Sequence, residues 1–287
     1  MSLRFPAVRE GLEVEGHQTK PPGKVHPRGV PTGRPAVEGD LSGAWTLEPI
    51  GWFESPFHEK FGIPRQSGMV QGARGFIRLR DHDFLAQALK GLESFSHLWA
   101  LWIFHEHDAR DWKPSIRPPR LGGAKRVGVL ASRSPHRPNP IGMSALKILS
   151  IDPKAKGGPR IEVEGLDVID GTPVIDLKPY VPYADCFPEA TSGWAAGEIP
   201  RTPVEFSEEA RALLAAMPGG GADLERLIVG VVELDPRPAS LRRREPSDSQ
   251  AALGSRHGFE LKGWDVRWEI TPQGFRVREL VPLNRLG

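Results

Sequence analysis

The chain is organised around residues 116–144, IRPPRLGGAKRVGVLASRSPHRPNPIGMS. This stretch belongs to a longer segment, between Asp111 and Asp152, that contains no acidic residue. The basic side chains of that segment are Lys113, Arg117, Arg120, Lys125, Arg126, Arg133, Arg137 and Lys147. Because the net charge of the whole chain is only +2, these residues create a local positive field in a nearly neutral protein.

The same stretch is dense in proline and glycine, which exclude a helix and hold the backbone in turns and extended segments. One short apolar strand is predicted inside it, at residues 126–131. A rigid basic loop system around a single strand is typical of an anion-binding surface. A solvated basic loop stiffened by prolines explains the composition equally well. The choice between the two therefore depends on the rest of the chain.

Length and composition narrow the class of protein. A chain of 287 residues with 39% apolar content can bury one large core or two smaller ones. Its single cysteine, Cys186, excludes a disulfide framework within the chain and a zinc site built from cysteines. No run approaches the roughly 18 apolar residues that cross a bilayer, and the N-terminus lacks an apolar signal-peptide core. We therefore expect a soluble cytoplasmic protein that does not enter a membrane.

The hydrophobic pattern predicts a mainly β fold. Strands are expected at residues 46–55, 73–80, 97–105, 126–131, 141–151, 160–168 and 172–177. The run HLWALWIFH at 97–105 is continuously apolar, so burial on both faces is expected. One helix, capped by Asp81, should place on one apolar face Phe84, Leu85, Ala88, Leu89 and Leu92. Six or so strands with a single clear helix favour an antiparallel sheet closing into a barrel.

Changes in composition divide the chain into three parts. Residues 1–44 are rich in proline and glycine and show no periodicity, so we expect a disordered tail. Residues 45–190 contain the barrel, and residues 191–287 should form a smaller α+β domain. The elements predicted for that domain are helices at 207–217, capped by Ser207, and at 223–234, and strands at 264–270 and 275–280. The β-branched residues in 228–232 also allow a strand in place of the second helix. These elements surround a basic loop that contains Arg237, Arg242, Arg243 and Arg244.

Five motifs resemble the TsaA-like, or TrmO, family. They are SPFHEKFGIPRQSG (55–68), LESFSHLWALWIFHE (92–106), RPPRLGG (117–123), RVGVLASRSPHRPNPIGMS (126–144) and GLDVIDGTPVIDLKPYVPYAD (165–185). A weaker match continues through DPRPA (235–239) and WDVRWEI (264–270). Members of this family are tRNA methyltransferases with an antiparallel β-barrel core. The resemblance therefore implies a TsaA-like barrel, S-adenosyl-L-methionine as the methyl donor, a tRNA anticodon loop as the partner, and a homodimer.

The resemblance also implies the reaction and its residues. The methyl group would be transferred to N6 of N6-threonylcarbamoyladenosine at position 37, next to the anticodon. The residues implied for the donor are Pro64, Arg65, Gln66, His105, Glu106, Arg133, Met143, Asp170, Gly171, Thr172 and Pro173. Met143 stands where the family more often has leucine, a change that conserves volume.

The chemistry of the donor explains these residue types. S-adenosylmethionine carries a carboxylate, an ammonium, a sulfonium and a ribose diol. Arg65 or Arg133 can bind the carboxylate with two parallel hydrogen bonds. Glu106 or Asp170 can accept from the ribose or the ammonium. A single exposed arginine is more often part of a surface ion pair of small worth, but five motifs in order favour the donor site.

The acceptor nitrogen would carry a proton that must leave, so a general base is a further expectation. His105, His136 and Asp170 are the candidates. The run His105-Glu106-His107-Asp108 also contains residue types that bind metals. On a continuing strand, however, His105 and His107 lie on one face and Glu106 on the other, so we predict no metal site.

Binding to the RNA backbone requires basic side chains. The residues predicted for it are Arg117, Arg120, Lys125, Arg126, Arg137, Arg242, Arg243 and Arg244. After DPRPA this chain departs from the family, because Ser240 and LRRREPSDSQ stand where a tyrosine-containing loop is usual. Two alternatives therefore stay open: a methyltransferase of the same fold acting on another RNA base or a small molecule, and a non-catalytic S-adenosylmethionine-binding regulator.

Overall fold

A computed structural model of the chain describes residues 3–4, 46–107, 112–121 and 125–283. Strands β1 (Leu3–Arg4) and β2 (Thr46–Leu47) pair antiparallel and belong to a unit of residues Met1–Glu48. Strand β1 differs from the disordered tail predicted for residues 1–44; the rest of that prediction lies outside the described residues. All elements that follow belong to a second unit, Pro49–Gly287.

Six strands of the second unit close into a barrel, which confirms the predicted fold class. The first part of this second unit contains β3 (Gly51–Glu54), β4 (Arg74–Leu79), α1 (Asp83–Ala88), β5 (His97–Ile103), β6 (Ser115–Ile116), β7 (Val127–Gly128), β8 (Ile141–Asp152), β9 (Arg160–Glu164), β10 (Pro173–Pro179) and α2 (Pro182–Asp185). The barrel order is β10-β3-β4-β9-β8-β5, and all neighbouring strands are antiparallel. Strands β6 and β7 form a separate antiparallel pair.

Alternating strand directions place three connections at the same end of the barrel. These connections are residues 55–73 between β3 and β4, residues 104–140 between β5 and β8, and residues 165–172 between β9 and β10. We call this end, with its three connections, the barrel mouth.

The barrel interior is filled by alternate residues of its strands. On β5, Leu98, Ala100 and Trp102 are at most 6% exposed, whereas Trp99 on the opposite face is only partly buried. The ring of Trp99 packs against Tyr180 at 5.6 Å between centroids, which covers that face incompletely. The prediction that this strand is buried on both faces is therefore wrong, because the outer face of a closed barrel borders solvent.

Two local predictions also need correction. The strand expected at 126–131 is only β7, since the hydroxyl and the amide of Ser132 both donate to the Val129 carbonyl and close a turn. Helix α1 is capped by His82, whose Nδ1 accepts from the Phe84 amide at 3.1 Å, and not by Asp81. Because this helix is short, Phe84 remains 73% exposed and outside the core.

The second part of the unit contains a four-stranded sheet. Its elements are β11 (Val204–Phe206), α3 (Glu208–Ala216), α4 (Ala222–Val232), α5 (Ala239–Arg244), β12 (Arg256–Leu261), β13 (Trp264–Thr271) and β14 (Gly274–Pro282). The sheet order is β11-β14-β13-β12, with β11 parallel to β14. Ser207 caps α3 as predicted, since its hydroxyl accepts from the Ala210 amide at 3.1 Å. Within the described ranges, no helix is long and apolar enough to cross a membrane.

The sequence predicted this sheet incompletely. Strand β11 has only three residues and β12 is interrupted by Gly258, so neither shows a clear period-two pattern. The basic loop expected around Arg242 is a helix, α5. Its six residues are too few for a helical period to be recognised from sequence.

The connection 55–73 lies against the C-terminal sheet. The Lys262 amide donates to the Pro56 carbonyl at 3.0 Å, and the Glu260 amide donates to Glu59 Oε1 at 2.7 Å. Backbone bonds of this kind fix the connection in place, because each satisfies a donor that would otherwise have to be solvated. The C-terminal sheet therefore supports one of the three connections of the barrel mouth.

Gly142 on β8 provides a test of the barrel packing. It lies opposite Trp102 on β5, and an added Cβ would come within 2.4 Å of the indole ring. We expect Gly142→Ala to displace this buried ring and to lower the free energy of unfolding by about 1–3 kcal/mol in urea denaturation. Gly128→Ala is the matched control, because Gly128 has φ −58° and no described atom within 4 Å of an added Cβ. Equal losses in both variants would contradict this packing.

Candidate active site at the barrel mouth

The residues implied for the methyl donor all lie at the barrel mouth. They are Pro64, Arg65 and Gln66 in the first connection, His105, Glu106 and Arg133 in the second, Asp170, Gly171 and Thr172 in the third, and Met143 and Pro173 at the start of β8 and β10. Antiparallel closure thus brings motifs that are far apart in sequence to one end of the barrel.

Gln66 and Arg133 join two of the three connections. Arg133 Nη1 donates to Gln66 Oε1 at 2.6 Å. The third connection reaches the same region, because Arg133 lies near enough for its positive charge to lower the pKa of the Asp167 carboxyl group. Gln66, Arg133 and Asp167 therefore form a cluster to which all three connections contribute. We call it the Asp167 cluster.

Asp167 was not predicted as a site residue. It lies in the quoted motif GLDVIDGTP, between Leu166 and Val168, which are at most 2% exposed. An acidic residue between two buried apolar residues was the signal available in the sequence. The residue predicted instead was Asp170, three residues later, at the start of the DGTP motif.

Asp167 is held by a chain of hydrogen bonds from the barrel interior. Trp102 Nε1 donates to Ser144 Oγ at 3.0 Å, and Ser144 Oγ donates to Asp167 Oδ1 at 2.6 Å. An indole N–H can only donate, so the hydroxyl of Ser144 accepts from Trp102 and keeps its one proton for Asp167. Ser144 is 1% exposed and Trp102 is 6% exposed, so this chain is anchored in the core.

The pKa of Asp167 is strongly displaced. Burial raises it from 3.8 to about 6, although the hydrogen bond from Ser144 and the charge of Arg133 act in the opposite direction. Removal from water penalises the charged form of a carboxyl group more than these partners stabilise it. Such a displacement is typical of catalytic groups and also of structural networks.

Asp170 is engaged with the backbone of its neighbours. Its Oδ1 accepts from the Ser55 amide at 2.8 Å, and its own amide donates to the Phe57 carbonyl at 2.7 Å. His58 Nδ1 lies 3.6 Å from Oδ2. This carboxylate therefore fastens the third connection to the first, which leaves it less suited to move a proton. Gly171, with φ 75°, has no described atom within 4 Å of an added Cβ, so its backbone faces open space.

Arg65 lies apart from the Asp167 cluster, on the side of the C-terminal domain. Burial, followed by the charge of Arg242, lowers the pKa of Arg65 to about 10, while Asp235 opposes this shift. Asp235 itself is bound by Arg237 through two hydrogen bonds of 2.8 and 2.6 Å. Although Arg65 is exposed as a residue, its guanidinium group is thus partly desolvated, with the like charge of Arg242 and the opposite charge of Asp235 nearby. Of the two arginines predicted for the donor carboxylate, Arg133 is therefore the one in the Asp167 cluster.

Other predicted residues occupy more exposed positions. Glu106 Oε2 lies 3.4 Å from Lys60 Nζ, and both residues are exposed. His105 is exposed in the turn after β5, and Met143 is 46% exposed. The ring of His136 packs edge-on against His107 at 4.2 Å between centroids. No group of three or more potential metal ligands occurs among the described residues; Asp108 lies outside them.

The predicted RNA-binding residues are distributed over two surfaces. Arg120 donates through Nη2 to the carbonyls of Ala196, Gly197 and Glu198, so one edge of its guanidinium group is already engaged. Arg126 donates to Ser115 Oγ at 3.0 Å and Arg137 to the Ser132 carbonyl at 3.3 Å. The others with exposed side chains are Arg117, Lys125, Arg243 and Arg244. Arg242 is half-buried.

Comparison with known proteins identifies the family. The family model described as tRNA-methyltransferase O N-terminal domain matches residues 52–186, and the TrmO C-terminal domain model matches residues 199–283. A tRNA (adenine(37)-N6)-methyltransferase of Escherichia coli (strain K12) is 39% identical over 240 residues, covering 83% of this chain and 99% of that protein. The chain belongs to the TrmO family. Membership of this family accounts for both the sequence resemblance and the barrel.

Further TrmO-family relatives agree in sequence and in structure. A Pseudomonas aeruginosa protein described as putative S-adenosylmethionine-dependent methyltransferase RcsF is 40% identical over 242 residues, or 82% of this chain and 97% of that protein. A crystal structure of TrmO from Pseudomonas aeruginosa superimposes with a TM-score of 0.63 at 35% identity, covering 82% of this chain and 97% of that one. The similarity therefore extends over the barrel and the C-terminal sheet.

The partly buried carboxyl group of Asp167 gives this TrmO-family chain a predicted pH dependence of stability. With its pKa raised from 3.8 to about 6, the folded state binds the proton more tightly than the unfolded state. Stability therefore declines as the pH rises from about 4 to about 6 and stays lower above that range. Asp167→Asn removes the charge and keeps an acceptor for Ser144. We expect the variant to be about 1–3 kcal/mol more stable than the wild type at pH 7.5.

The measurement is chemical denaturation of both proteins at several pH values between 4 and 8. The difference in free energy of unfolding between the two proteins should shrink toward pH 4, because Asp167 of the folded wild type is then protonated and neutral, like the asparagine of the variant. A variant that is less stable than the wild type at pH 7.5 would show that the charged carboxylate stabilises the fold.

Proposed function

We propose that this protein is an S-adenosylmethionine-dependent methyltransferase that modifies N6 of N6-threonylcarbamoyladenosine at position 37 of tRNA. The observation that carries the proposal is that the donor motifs of the family meet at one barrel mouth, where Arg133 binds Gln66 across two connections. Similarity to the Escherichia coli tRNA (adenine(37)-N6)-methyltransferase over 99% of its length supports the same reaction.

The barrel mouth offers groups that suit each part of S-adenosylmethionine. Arg133 presents an exposed guanidinium that can bind the carboxylate, and Gln66 holds it in orientation. Glu106 supplies an exposed carboxylate for the ribose or the ammonium. Met143 adds an exposed apolar side chain, and the open backbone at Gly171 permits close approach to a purine edge. When bound, the donor supplies an activated methyl group, so no covalent enzyme intermediate is needed.

The remaining task of the protein is to align the acceptor. Holding two reactants in line can supply several kcal/mol, up to about 7–11 in well-oriented systems. The C-terminal domain, residues 191–287, is proposed to hold the tRNA, because its helix α5 ends in three arginines. Positive side chains there would bind phosphates without reading sequence. Arg242 of this domain and Arg65 of the first connection lie near each other, and both partly desolvated guanidinium groups would be available to an anion.

Cellular setting and assembly follow from the family resemblance. We propose a cytoplasmic homodimer, in which the exposed thiol of Cys186 stays reduced. The division at residue 190 into a barrel domain and a C-terminal domain is part of the same proposal. The two family models, which end at 186 and begin at 199, support it.

Nucleoside mass spectrometry tests the proposed reaction. Purified protein is incubated with S-adenosylmethionine and threonylcarbamoylated tRNA, and the control is the same tRNA without the threonylcarbamoyl group. We expect a gain of one methyl on the modified adenosine alone, with formation of S-adenosylhomocysteine. Methylation of another nucleoside would favour the alternative substrate that Ser240 and its following loop suggest. Donor binding without turnover on any RNA would favour a regulator.

Arg243 and Arg244 at the end of α5 allow a separate test of RNA binding. Both are exposed, and only Arg244 has a described ion pair, with Glu245 at 3.0 Å. We expect the double change Arg243→Ala and Arg244→Ala to weaken tRNA binding and to reduce the slope of log K against log salt by about 1–2. The affinity for S-adenosylmethionine should not change.

The matched control for that test is Lys154→Ala with Lys156→Ala. These two lysines are exposed and lie between β8 and β9, at the barrel end opposite the mouth. An unchanged salt slope in the arginine variant, or an equal change in the lysine variant, would remove α5 from the RNA surface.

A further inference from the structure

The proposed reaction leaves one proton without an acceptor. N6 of N6-threonylcarbamoyladenosine bears one hydrogen, and the methyl group replaces it. As the N6–CH₃ bond forms, the S–CH₃ bond breaks and its electron pair remains on sulfur, while the N6 proton must pass to a base. The inference below rests on the proposed function and assigns that base.

Three candidates from sequence are poorly placed for this role. Asp170 Oδ1 is engaged by the Ser55 amide and His58 lies beside its other oxygen. His105 is exposed in a turn, where water surrounds the ring. His136 packs edge-on against His107. A base that acts near the donor must lie close to the residues that hold the donor.

We propose that Asp167 is the general base that accepts the N6 proton. It belongs to the same cluster as Arg133 and Gln66, and it lies at the end of a hydrogen-bond chain from the barrel core. Among the described residues, it is the one carboxyl group of the barrel mouth that accepts a hydrogen bond from a side chain of the barrel interior, the hydroxyl of Ser144.

The direction of that chain fixes where the proton would go. Trp102 donates to Ser144, so Ser144 must donate to Asp167 Oδ1, and this oxygen stays free of a proton. The proton from N6 would therefore be received by Oδ2. Trp102 and Ser144 are positioning residues, because they orient the carboxylate without meeting the substrate.

The basicity of Asp167 suits the transfer of the N6 proton. Burial raises its pKa to about 6, which makes it a better proton acceptor than an ordinary carboxylate while it stays ionised at neutral pH. The charged group that acts on it is Arg133, which limits this rise, and the side chain that donates a hydrogen bond to it is Ser144. Binding of an acceptor would displace water from the mouth and strengthen these interactions.

Kinetics of Asp167→Asn test the proposal with the intact protein. Single-turnover rates are measured with threonylcarbamoylated tRNA at saturating S-adenosylmethionine, and the donor Kd is measured by calorimetry. We expect the rate at pH 7.5 to fall about 10²–10⁴-fold with the donor Kd changed less than about twofold. Asp167→Glu should restore part of the rate, because it returns a carboxylate on a longer arm. Asp152→Asn, at the exposed far end of β8, is the control and should keep the wild-type rate.

The pH profile distinguishes a base from a structural residue. The wild-type rate should decrease as the pH falls through about 6, and this limb should be absent in Asp167→Asn. Ser144→Ala removes a hydrogen bond that lowers the pKa of Asp167, so its limb should move to higher pH. A residue that only supports the fold would change neither limb.

The outcomes separate this inference from the proposed function. A wild-type protein that methylates no threonylcarbamoylated tRNA would overturn the function and the base together. A wild-type protein that is active while Asp167→Asn is equally active would overturn the base alone. Loss of donor affinity in Asp167→Asn with an unchanged saturated rate would make Asp167 a ligand of the donor ammonium. This outcome too would overturn the assignment of Asp167 as the general base.

Discussion

Closure of the antiparallel barrel is the constraint on which the site depends. With strand directions alternating around the barrel, every second connection must emerge at the same end. In this chain those connections contain the motifs at residues 55–73, 104–140 and 165–172. The basic, proline-rich segment between β5 and β8 therefore needs no helix or long strand of its own. Its position is set by the two strands that it joins, which pair from His97 opposite Lys147 to Ile103 opposite Ile141.

The C-terminal sheet completes this arrangement. Backbone hydrogen bonds from β12 and its turn hold the first connection, so the loop that carries Gln66 is supported from the barrel and from the sheet. A long connection without a helix or strand of its own would otherwise lose its geometry easily. The same contact brings Arg65 close to Arg242 and Asp235. The connection 55–73 thus contributes Gln66 to the proposed donor site and Arg65 to the proposed tRNA surface. The two proposed sites therefore lie on the same connection.

Periodicity and motifs in the sequence were enough to predict the barrel and the Ser207 cap of α3. They failed where structure depends on pairing in three dimensions. Phe84 follows the helical period but α1 is too short to bring it to the core, and Trp99 belongs to an apolar run but faces outward. Asp167 was missed for a similar reason. Its role depends on Ser144 and Trp102, which reach it only after β5 and β8 have paired.

Asp167 also shows how stability and function oppose each other at the barrel mouth. A carboxyl group removed from water destabilises the fold at neutral pH, and an amide of the same shape would avoid that cost. The interior nevertheless provides a buried serine and a buried tryptophan whose polar groups serve this carboxyl group. Replacing all three by apolar residues would remove the cost of burying their polar groups, so packing alone does not account for the hydrogen-bond chain. A requirement for a partly desolvated base beside Arg133 does account for it, because such a group must be ionised, oriented and dry at once.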